Sequence, residues 1–361
     1  MALATSGDRG IFTLGAARSA AGARMRALAE AEERTAGFFQ GDEPRVRASF
    51  RDLGNAAVHP NRCLLYSAKQ YRERSAPRAF DPDSRIEWSP LWSVTHAEWR
   101  YLPTALLYYD YPRRPFGRAD SNGAGAHRSR PRAALRGVLE LVERDSVALW
   151  WYNRTPRPGV PLRRFRDPWL HRLLDWYDGI GRDCWALDLT SDLGIPVVAA
   201  LSRRREPPES IVMGFGADPD RHRAAERAML EMTQLLAVSR DAARGRVRLP
   251  PAARRWLASA TTAGEPHLLP GAGRVRRAEA RARRTTFERL AARLSRMGLE
   301  VLVSDQTRPG SRFRVVRVMV PGLRSWWPRF APGRLYRAPV TAGWITRPRR
   351  ESELNPEPFF L

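Results

Sequence analysis

The stretch Ser121–Asn153 reads SNGAGAHRSRPRAALRGVLELVERDSVALWWYN, and its reading decides the fold. Six small residues, Ser121-Asn122-Gly123-Ala124-Gly125-Ala126, form a turn that leads into a helix. Pro131 suits the first helical position, where its missing N–H costs nothing. Leu135, Val138, Leu139 and Val142 recur at i, i+3, i+4 and i+7, which draws one apolar stripe. At about 100° per residue, Glu140 and Glu143 fall along one flank of that stripe and neighbour each other. Taken alone, they read as a solvated edge, because Glu140 has Arg144 at i+4 and Arg136 at i−4.

Repetition changes that reading. Glu30-Ala-Glu-Glu33-Arg34 lies in a second helix and repeats the E-x-x-E-R spacing of Glu140 to Arg144. A third helix carries Glu231-Met-Thr-Gln234, an acid and an amide one turn apart. Oxygen ligands at one-turn spacing on three helices suit a hard cation shared between carboxylates and phosphates. A triphosphate cannot approach bare carboxylates; Mg²⁺ between them makes the contact favourable.

The rest of the composition narrows the classes. The chain has 361 residues, of which 43% are hydrophobic, enough for a substantial core. The net charge is +24, and of 62 basic residues only Lys69 is lysine. An arginine surface can attract nucleic acid, ATP or an acidic peptide. The wealth of Ala, Gly, Pro and Arg points instead to codon bias, so nucleic acid is not the expected partner. Cys63 and Cys184 form no metal-ligand or disulfide pattern. No signal peptide and no apolar run of about 20 residues are present, so a cytoplasmic enzyme is expected. There is no P-loop, kinase glycine loop or Rossmann fingerprint.

In chain order, helix 23–39 should place Met25, Leu28 and Ala36 on one side. Residues 42–85 read as irregular polar surface, with helical character around Tyr66 to Arg74. Trp88 to Tyr109 reads as two strands and a turn, with Pro103 at an edge. His96 reads as a turn residue, and His127 is the one histidine with a site position. The run Trp150-Trp151-Tyr152 reads as a core plug. A helix over 168–179 precedes strands at 184–190 and 196–202, joined by Ser191-Asp192-Leu193-Gly194. A strand at 211–215 is followed by helix 219–243, capped by Asp218-Pro219. Residues 245–285 read as a loop. A helix at 287–297 and strands at 299–305 and 313–320 close the pattern. The implied class is α+β, with helices packed on an antiparallel sheet in one domain.

At these residues the chain resembles the YcaO superfamily of ATP-dependent peptide-backbone cyclodehydratases. The similar segments are GARMRALAEAEER, SNGAGAH with ALRGVLELVERDSVALWWYNR, DLTSDLGIPVVAAL, AMLEMTQ, RVVRVMVPGL, GRLYRAPV and the tail ELNPEPFF. They stand in the family's order over most of the chain. The resemblance implies a YcaO-like α+β fold around an ATP/Mg²⁺ cleft, one catalytic domain over 1–361 and a proline-containing tail at 351–361. It assigns Glu30, Glu33, Glu140, Glu143 and Glu231 to Mg²⁺. It assigns Asn122, Arg26, Glu30, Glu140, Glu231, Gln234 and Arg317 to the nucleotide. Two positions depart from the family pattern: Ala17 and Arg18 stand near its lysine, and Arg26 replaces its serine four residues before Glu30.

The implied reaction is cyclodehydration of Cys, Ser or Thr in a precursor peptide to thiazoline or oxazoline. Asn355-Pro356-Glu357-Pro358-Phe359-Phe360-Leu361 keeps two prolines of the azoline branch's Pro-x-Pro-x-Pro ending. On that basis Pro356, Pro358 and the carboxylate of Leu361 belong to the active site. Deleting Phe359 to Leu361 should then remove little core. No segment resembles a leader-binding domain, so a separate E1-like partner is expected, with a flavin azoline dehydrogenase as a further candidate and a homodimer left open. The alternatives are thioamide or amidine formation, a non-catalytic peptide-docking scaffold, and a basic nucleic-acid-binding protein.

Overall fold

The computed structural model describes residues 2–6, 11–114, 116–273, 275 and 285–360. The strands are β1 (Ala2–Ser6), β2 (Ile11–Gly15), β3 (Val46–Ala48), β4 (Ile86–Ser93), β5 (Glu98–Pro103), β6 (Ala124–His127), β7 (Arg157–Pro158), β8 (Arg182–Asp188), β9 (Val197–Arg204), β10 (Val212–Ala217), β11 (Pro270–Gly271), β12 (Leu302–Asp305) and β13 (Arg314–Met319). The helices are α1 (Ala20–Ala36), α2 (Phe50–Leu53), α3 (Asn61–Leu64), α4 (Ala68–Arg72), α5 (Arg130–Asn153), α6 (Pro168–Gly179), α7 (Arg221–Ala243), α8 (Pro251–Ser259), α9 (Phe287–Arg296) and α10 (Arg334–Thr341).

The larger sheet runs β3-β4-β12-β13-β6, with β5 on the other side of β4. A second sheet runs β10-β9-β8. Every pairing in these two sheets is antiparallel. Helix α5 packs against both, touching β6 and β13 on one side and β9 and β10 on the other. Its apolar stripe and its C-terminal Trp150, Trp151 and Tyr152 form the middle of the main core. The stripe can sit this close because Gly137 has no side chain: a Cβ there would lie 2.3 Å from the Gly123 carbonyl oxygen. Helix α7 covers β9 and β10, where Ala228, Met229 and Met232 are fully buried.

Side-chain alternation along β13 separates two faces. Val316 and Val318 pack with α5, whereas Val315 packs with Ala29 and Ala36 of α1. Among the described residues β6 pairs only with β13, and both α1 and α5 pack against it at this edge of the sheet. That edge becomes the floor of the site described below.

Several expected elements shift. Helix α1 begins at Ala20 with Ser19 as its cap and ends at Gly37, earlier than residues 23–39. Met25 and Leu28 are 41% and 42% exposed, so they are not its core side. The buried face is Ala23, Ala27, Ala29, Ala31 and Ala36. Alanines allow the closest approach of backbones here: a Cβ on Gly15 of β2 would fall 2.0 Å from the Ala23 carbonyl oxygen. Helix α7 is capped by Asp220, whose carboxylate accepts from His222 N at 2.9 Å, and not by Asp218.

Residues 42–85 are less peripheral than their polarity suggests. β3 joins the larger sheet, and Val58 and Leu64 are buried. The stretch 245–285 is not all loop. α8 buries Trp256, whose indole N–H donates to the Ile211 carbonyl at 3.0 Å, and His267 and Leu268 are buried after it. α10, with Pro339 inside it, has no counterpart in the periodicity reading. The strands at 86–93, 98–103, 182–188, 197–204, 212–217, 302–305 and 314–319 stand where alternation and turn residues put them, within a few positions.

Candidate active site

Helix α5 carries the central pair. Glu140 Oε2 accepts from the Gly123 N–H at 3.1 Å, and Glu140 Oε1 accepts from Arg144 Nη2 at 2.9 Å. Glu143, one turn on, accepts from the Ala217 N–H at 3.1 Å and lies 3.7 Å from Arg144 Nη1. Gly123 precedes β6 and Ala217 ends β10, so the two acids reach to opposite sheets from one helix flank. Each holds the end of a strand through a main-chain N–H, which fixes the carboxylate without neutralising it.

Helices α1 and α7 bring the other acids to the same place. Glu30 pairs with Arg34 at 2.7 Å and is half-exposed. Glu33 is half-buried and lies near enough to Glu140 and Glu30 to feel their charge. Glu231 of α7 accepts from the Phe215 N–H, and Gln234 lies one turn further along, half-buried.

The acids burden one another. Burial, then the Glu140 and Glu30 carboxylates, push the Glu33 carboxyl up to about 8. Burial also drives Glu143 up to about 8, with Glu231 and Glu140 adding to the shift and Arg144 opposing it. Glu30 and Glu231 are raised as well, first by burial and then against the pull of Arg34 and Arg144 respectively. Glu140 contributes repulsion to all four of these acids, which come from α1, α5 and α7.

Arg144 is the cation in the middle. Burial alone would lower its pKa, but the carboxylates of Glu140, Glu143 and Glu231 outweigh that and raise it. Its guanidinium lies 3.4 Å from the ring centroid of Trp326. Trp326 packs on Phe359 at 5.0 Å between centroids, and Phe359 also meets Phe215 and Trp151. The C-terminal tail therefore docks on the layer directly behind the acids. Its backbone is held by Asn355 N to Tyr152 O at 2.8 Å and Trp151 Nε1 to Glu357 O at 2.8 Å. Phe359 is only 4% exposed, so the expectation that the tail contributes little core is corrected: it completes the aromatic cluster at the end of α5. Pro356 and Pro358 are exposed. Leu361, expected to deliver its carboxylate to the site, lies outside the described residues.

Arg317 on β13 shares a face with Val315, toward α1. It is 1% exposed and pairs with Asp120 at 3.5 Å. It also lies close enough to Glu33 to oppose that group's upward shift. Asn122 donates its main-chain N–H to Asp120 Oδ1 at 3.1 Å and lines the same cavity as Arg317.

Arg26 lies on α1, with Nη1 donating to Ala16 O at 2.7 Å. Burial lowers its pKa, and so does Arg227 of α7; Arg136 of α5 is lowered by burial, Arg227 and Arg26. Three guanidiniums from three helices thus crowd beside the acids. Arg136 entered the sequence reading only as the i−4 neighbour of Glu140, and nothing local marked Arg227, which pairs with Asp218 at 3.2 Å. Arg18 is committed elsewhere, to Asp167 at 2.5 Å and Glu226 at 2.7 Å. His127 Nδ1 accepts from Ser129 N at 3.2 Å at the start of α5, a turn contact.

Among the described residues no three acid, histidine or cysteine side chains converge into a ready-made metal cage. Glu140, Glu143 and Glu231 are instead drawn aside to backbone N–H groups, and Glu30 to Arg34. The donor set still fits Mg²⁺. It is all oxygen, it carries more negative charge than Arg144 offsets, and three of its carboxyls are held by main-chain N–H groups in place.

Such a site, five acids and four arginines on three helices over a sheet edge, defines a phosphate- and metal-handling enzyme fold. The description "YcaO cyclodehydratase, ATP- and Mg²⁺-binding" matches residues 14–324, and the chain belongs to that family. A heterocyclase solved in complex with substrate and cofactor superposes with a TM-score of 0.90 at 39% identity, covering 99% of this chain and 51% of that one. The heterocyclase TruD gives a TM-score of 0.83 at 42% identity, over 93% of this chain and 50% of that one. The YcaO protein of Methanopyrus kandleri, bound with AMPPCP and Mg²⁺, gives 0.65 at 26% identity, over 88% and 80%. The chain thus spans about half the length of the two heterocyclases. Among the described residues no helix is long and apolar enough to cross a membrane.

Proposed function

We propose that the chain cyclodehydrates Cys, Ser or Thr residues of a ribosomally made precursor peptide to thiazoline or oxazoline at the cost of ATP. The observation that carries this reading is the position of Glu140, whose charge burdens acids on α1, α5 and α7 at once. A surplus of fixed carboxylates beside arginines from three helices suits a cation–triphosphate pair. The family and the likeness to two heterocyclases support the azoline outcome over thioamide or amidine formation.

In the reaction, the substrate side chain attacks the preceding backbone carbonyl carbon. The oxygen so released takes the γ-phosphoryl group of ATP, and phosphate departs as the ring's double bond forms, leaving ADP. Mg²⁺ held by Glu30, Glu33, Glu140, Glu143 and Glu231 would offset the charge of the phosphates. Arg26, with its neighbours Arg136 and Arg227, supplies positive charge for the nucleotide, and Gln234 and Asn122 supply neutral polar contacts. Arg317, which is buried, would present donors to the charge that builds on the transferred group. Arg144 keeps Glu140 and Glu143 in place and ties them to Trp326 and the tail. The tail residues Pro356, Pro358 and Leu361 would close the substrate side of the site.

An E1-like leader-binding partner, with a flavin dehydrogenase acting after it, would complete the system. The test is Mg²⁺-dependent ATP consumption with a Cys-containing precursor peptide, with and without such a partner. Loss of one water per ring by mass spectrometry is expected. ATP use without any mass loss from the peptide sinks the azoline reading.

A further inference from the structure

Beside Arg317 the surface opens into a groove. Its inner end is a small cavity of about 60 Å³ lined by Asp120, Asn122 and Arg317. Its outer part, about 570 Å³, is lined by Tyr66, Arg118, Asp120, Trp327 and Arg329. That volume falls within the range of built ligand sites. The two parts share Asp120, Arg118 and Arg329, so they form one continuous groove that ends at Arg317 and Asn122.

Charge in the groove is one-sided. Asp120 is its only carboxylate among the described residues, and it is already engaged by Arg317 Nη2 at 3.5 Å and by Trp327 Nε1 at 3.1 Å. Arg118 and Arg329 have no acidic partner within ion-pair distance among the described residues. Arg329 lies instead 5.3 Å from the ring centroid of Tyr66, a cation–π contact within the groove. Arg317, 1% exposed, has its Nε without a hydrogen-bond partner where it lines the inner cavity. A buried donor left in that state costs free energy until something accepts from it. The exposed Trp327 and half-buried Tyr66 offer flat amphipathic walls of the kind that carry a main chain.

We propose that this groove takes an acidic segment of the precursor peptide flanking the residue being modified. Arg118 and Arg329 bind its carboxylates, Trp327 and Tyr66 carry its backbone, and a carbonyl oxygen reaches the free donor of Arg317. The inference rests on the function proposed above and adds to it the direction from which the peptide enters and the charge it carries. Peptide and nucleotide would then be brought together at Arg317, and transfer of a phosphoryl group to a peptide oxygen needs that proximity.

The experiment uses two fluorescein-labelled peptides sharing a central cysteine, one flanked by Asp and Glu, the other by Asn and Gln. Binding to the full chain is read by anisotropy at low salt. The acidic peptide should bind about tenfold more tightly, a difference near 1.4 kcal/mol. The double variant Arg118→Glu/Arg329→Glu should abolish or invert that preference while Mg-ATP binding by calorimetry stays at the wild-type value. Equal affinity for both peptides, or an unchanged preference in the double variant, overturns the proposal. So does loss of Mg-ATP binding in a folded double variant, which would assign the arginines to the nucleotide. If the double variant does not fold, Trp327→Ala decides the matter: it should weaken both peptides alike, and unaltered binding overturns the proposal. Wild-type protein that shows the arginine-dependent preference but binds no Mg-ATP would leave the groove standing and remove the catalytic reading instead.

Discussion

Helix α5 bears two acidic clusters within two turns, and they are treated in opposite ways. Asp145 is completely buried and completely matched. Arg334 grips both its oxygens, at 3.1 Å and 2.7 Å, and the Arg324 N–H donates to it at 2.9 Å. Arg334 also holds Asp192 at 2.8 Å, and the acids raise its pKa. Glu140 and Glu143 sit on the same helix with one arginine between them and three more acids nearby. Burial costs a charge several kcal/mol unless a partner answers it. At Asp145 the chain supplies that partner from its own sequence. At Glu140 and Glu143 it does not, and the deficit is what a bound cation can fill.

The largest effect should come from breaking the unmatched cluster. Glu140→Gln and Glu143→Gln are each expected to lower peptide-dependent ATP turnover by at least about a hundredfold, as losses of transition-state charge stabilisation do. Circular dichroism should stay unchanged, because glutamine still accepts from Gly123 or Ala217. Normal turnover in both variants would reverse the comparison and make these acids structural. Breaking the matched cluster should do the converse. Asp145→Ala leaves Arg334 facing a buried void and should cost about 3–5 kcal/mol of stability, read as a fall in the urea midpoint. Mg-ATP affinity of the surviving folded fraction should be little altered.

The tail sharpens the same contrast, since it touches the core and the site at once. Phe359 packs on Trp151, Phe215 and Trp326, and Trp326 carries Arg144. Phe359→Ala should cost about 3–5 kcal/mol and slow peptide cyclisation with it. Phe360 is only partly buried, against Trp256 at 4.6 Å between centroids. Phe360→Ala should cost clearly less in thermal denaturation. Equal losses for the two would mean that the aromatic cluster does not depend on Phe359 in particular.

What the sequence disclosed follows from range. E-x-x-E spacings, strand alternation, capping turns and the apolar stripe of α5 are local, and each appears in the structure close to where spacing puts it. Long-range pairing left no local trace. Arg334 reaches Asp145 across 189 positions, and Arg136 and Arg227 crowd with Arg26 from different helices. The alanine face of α1 was hidden for a different reason. Hydrophobicity ranks Met25 and Leu28 above alanine, but close backbone approach selects the smallest side chain. α8 went unread because Arg254 and Arg255 mask the one anchor, Trp256, that sets its orientation. The family resemblance carried the assignment of Arg317, whose burial no spacing rule predicts.

The smallest effect is the most diagnostic of why the acid cluster is left short. Glu33 is held up to about 8 from an ordinary 4.5, chiefly by burial and by Glu140 and Glu30. Between those two values the folded chain keeps a proton that the unfolded chain gives up. Stability therefore falls as pH rises through that window, and the loss is complete above the folded value. Glu143 behaves alike, burial leading there too. Glu33→Gln removes the ionisation that is being resisted. Without nucleotide, the variant and wild type should melt together near pH 4.5, and the variant should gain as pH rises toward 8, by about 2–4 °C for each kcal/mol recovered. Mg-ATP should reverse the order, because it stabilises the ionised wild type and finds one ligand fewer in the variant. Binding should also release protons, more at pH 7 than at pH 9, where the carboxyls are already ionised. A flat difference in melting temperature across the pH range, with no proton release on Mg-ATP binding, would mean that Glu33 is neutralised within the chain as Asp145 is, and the contrast between the two clusters would then not extend to α1.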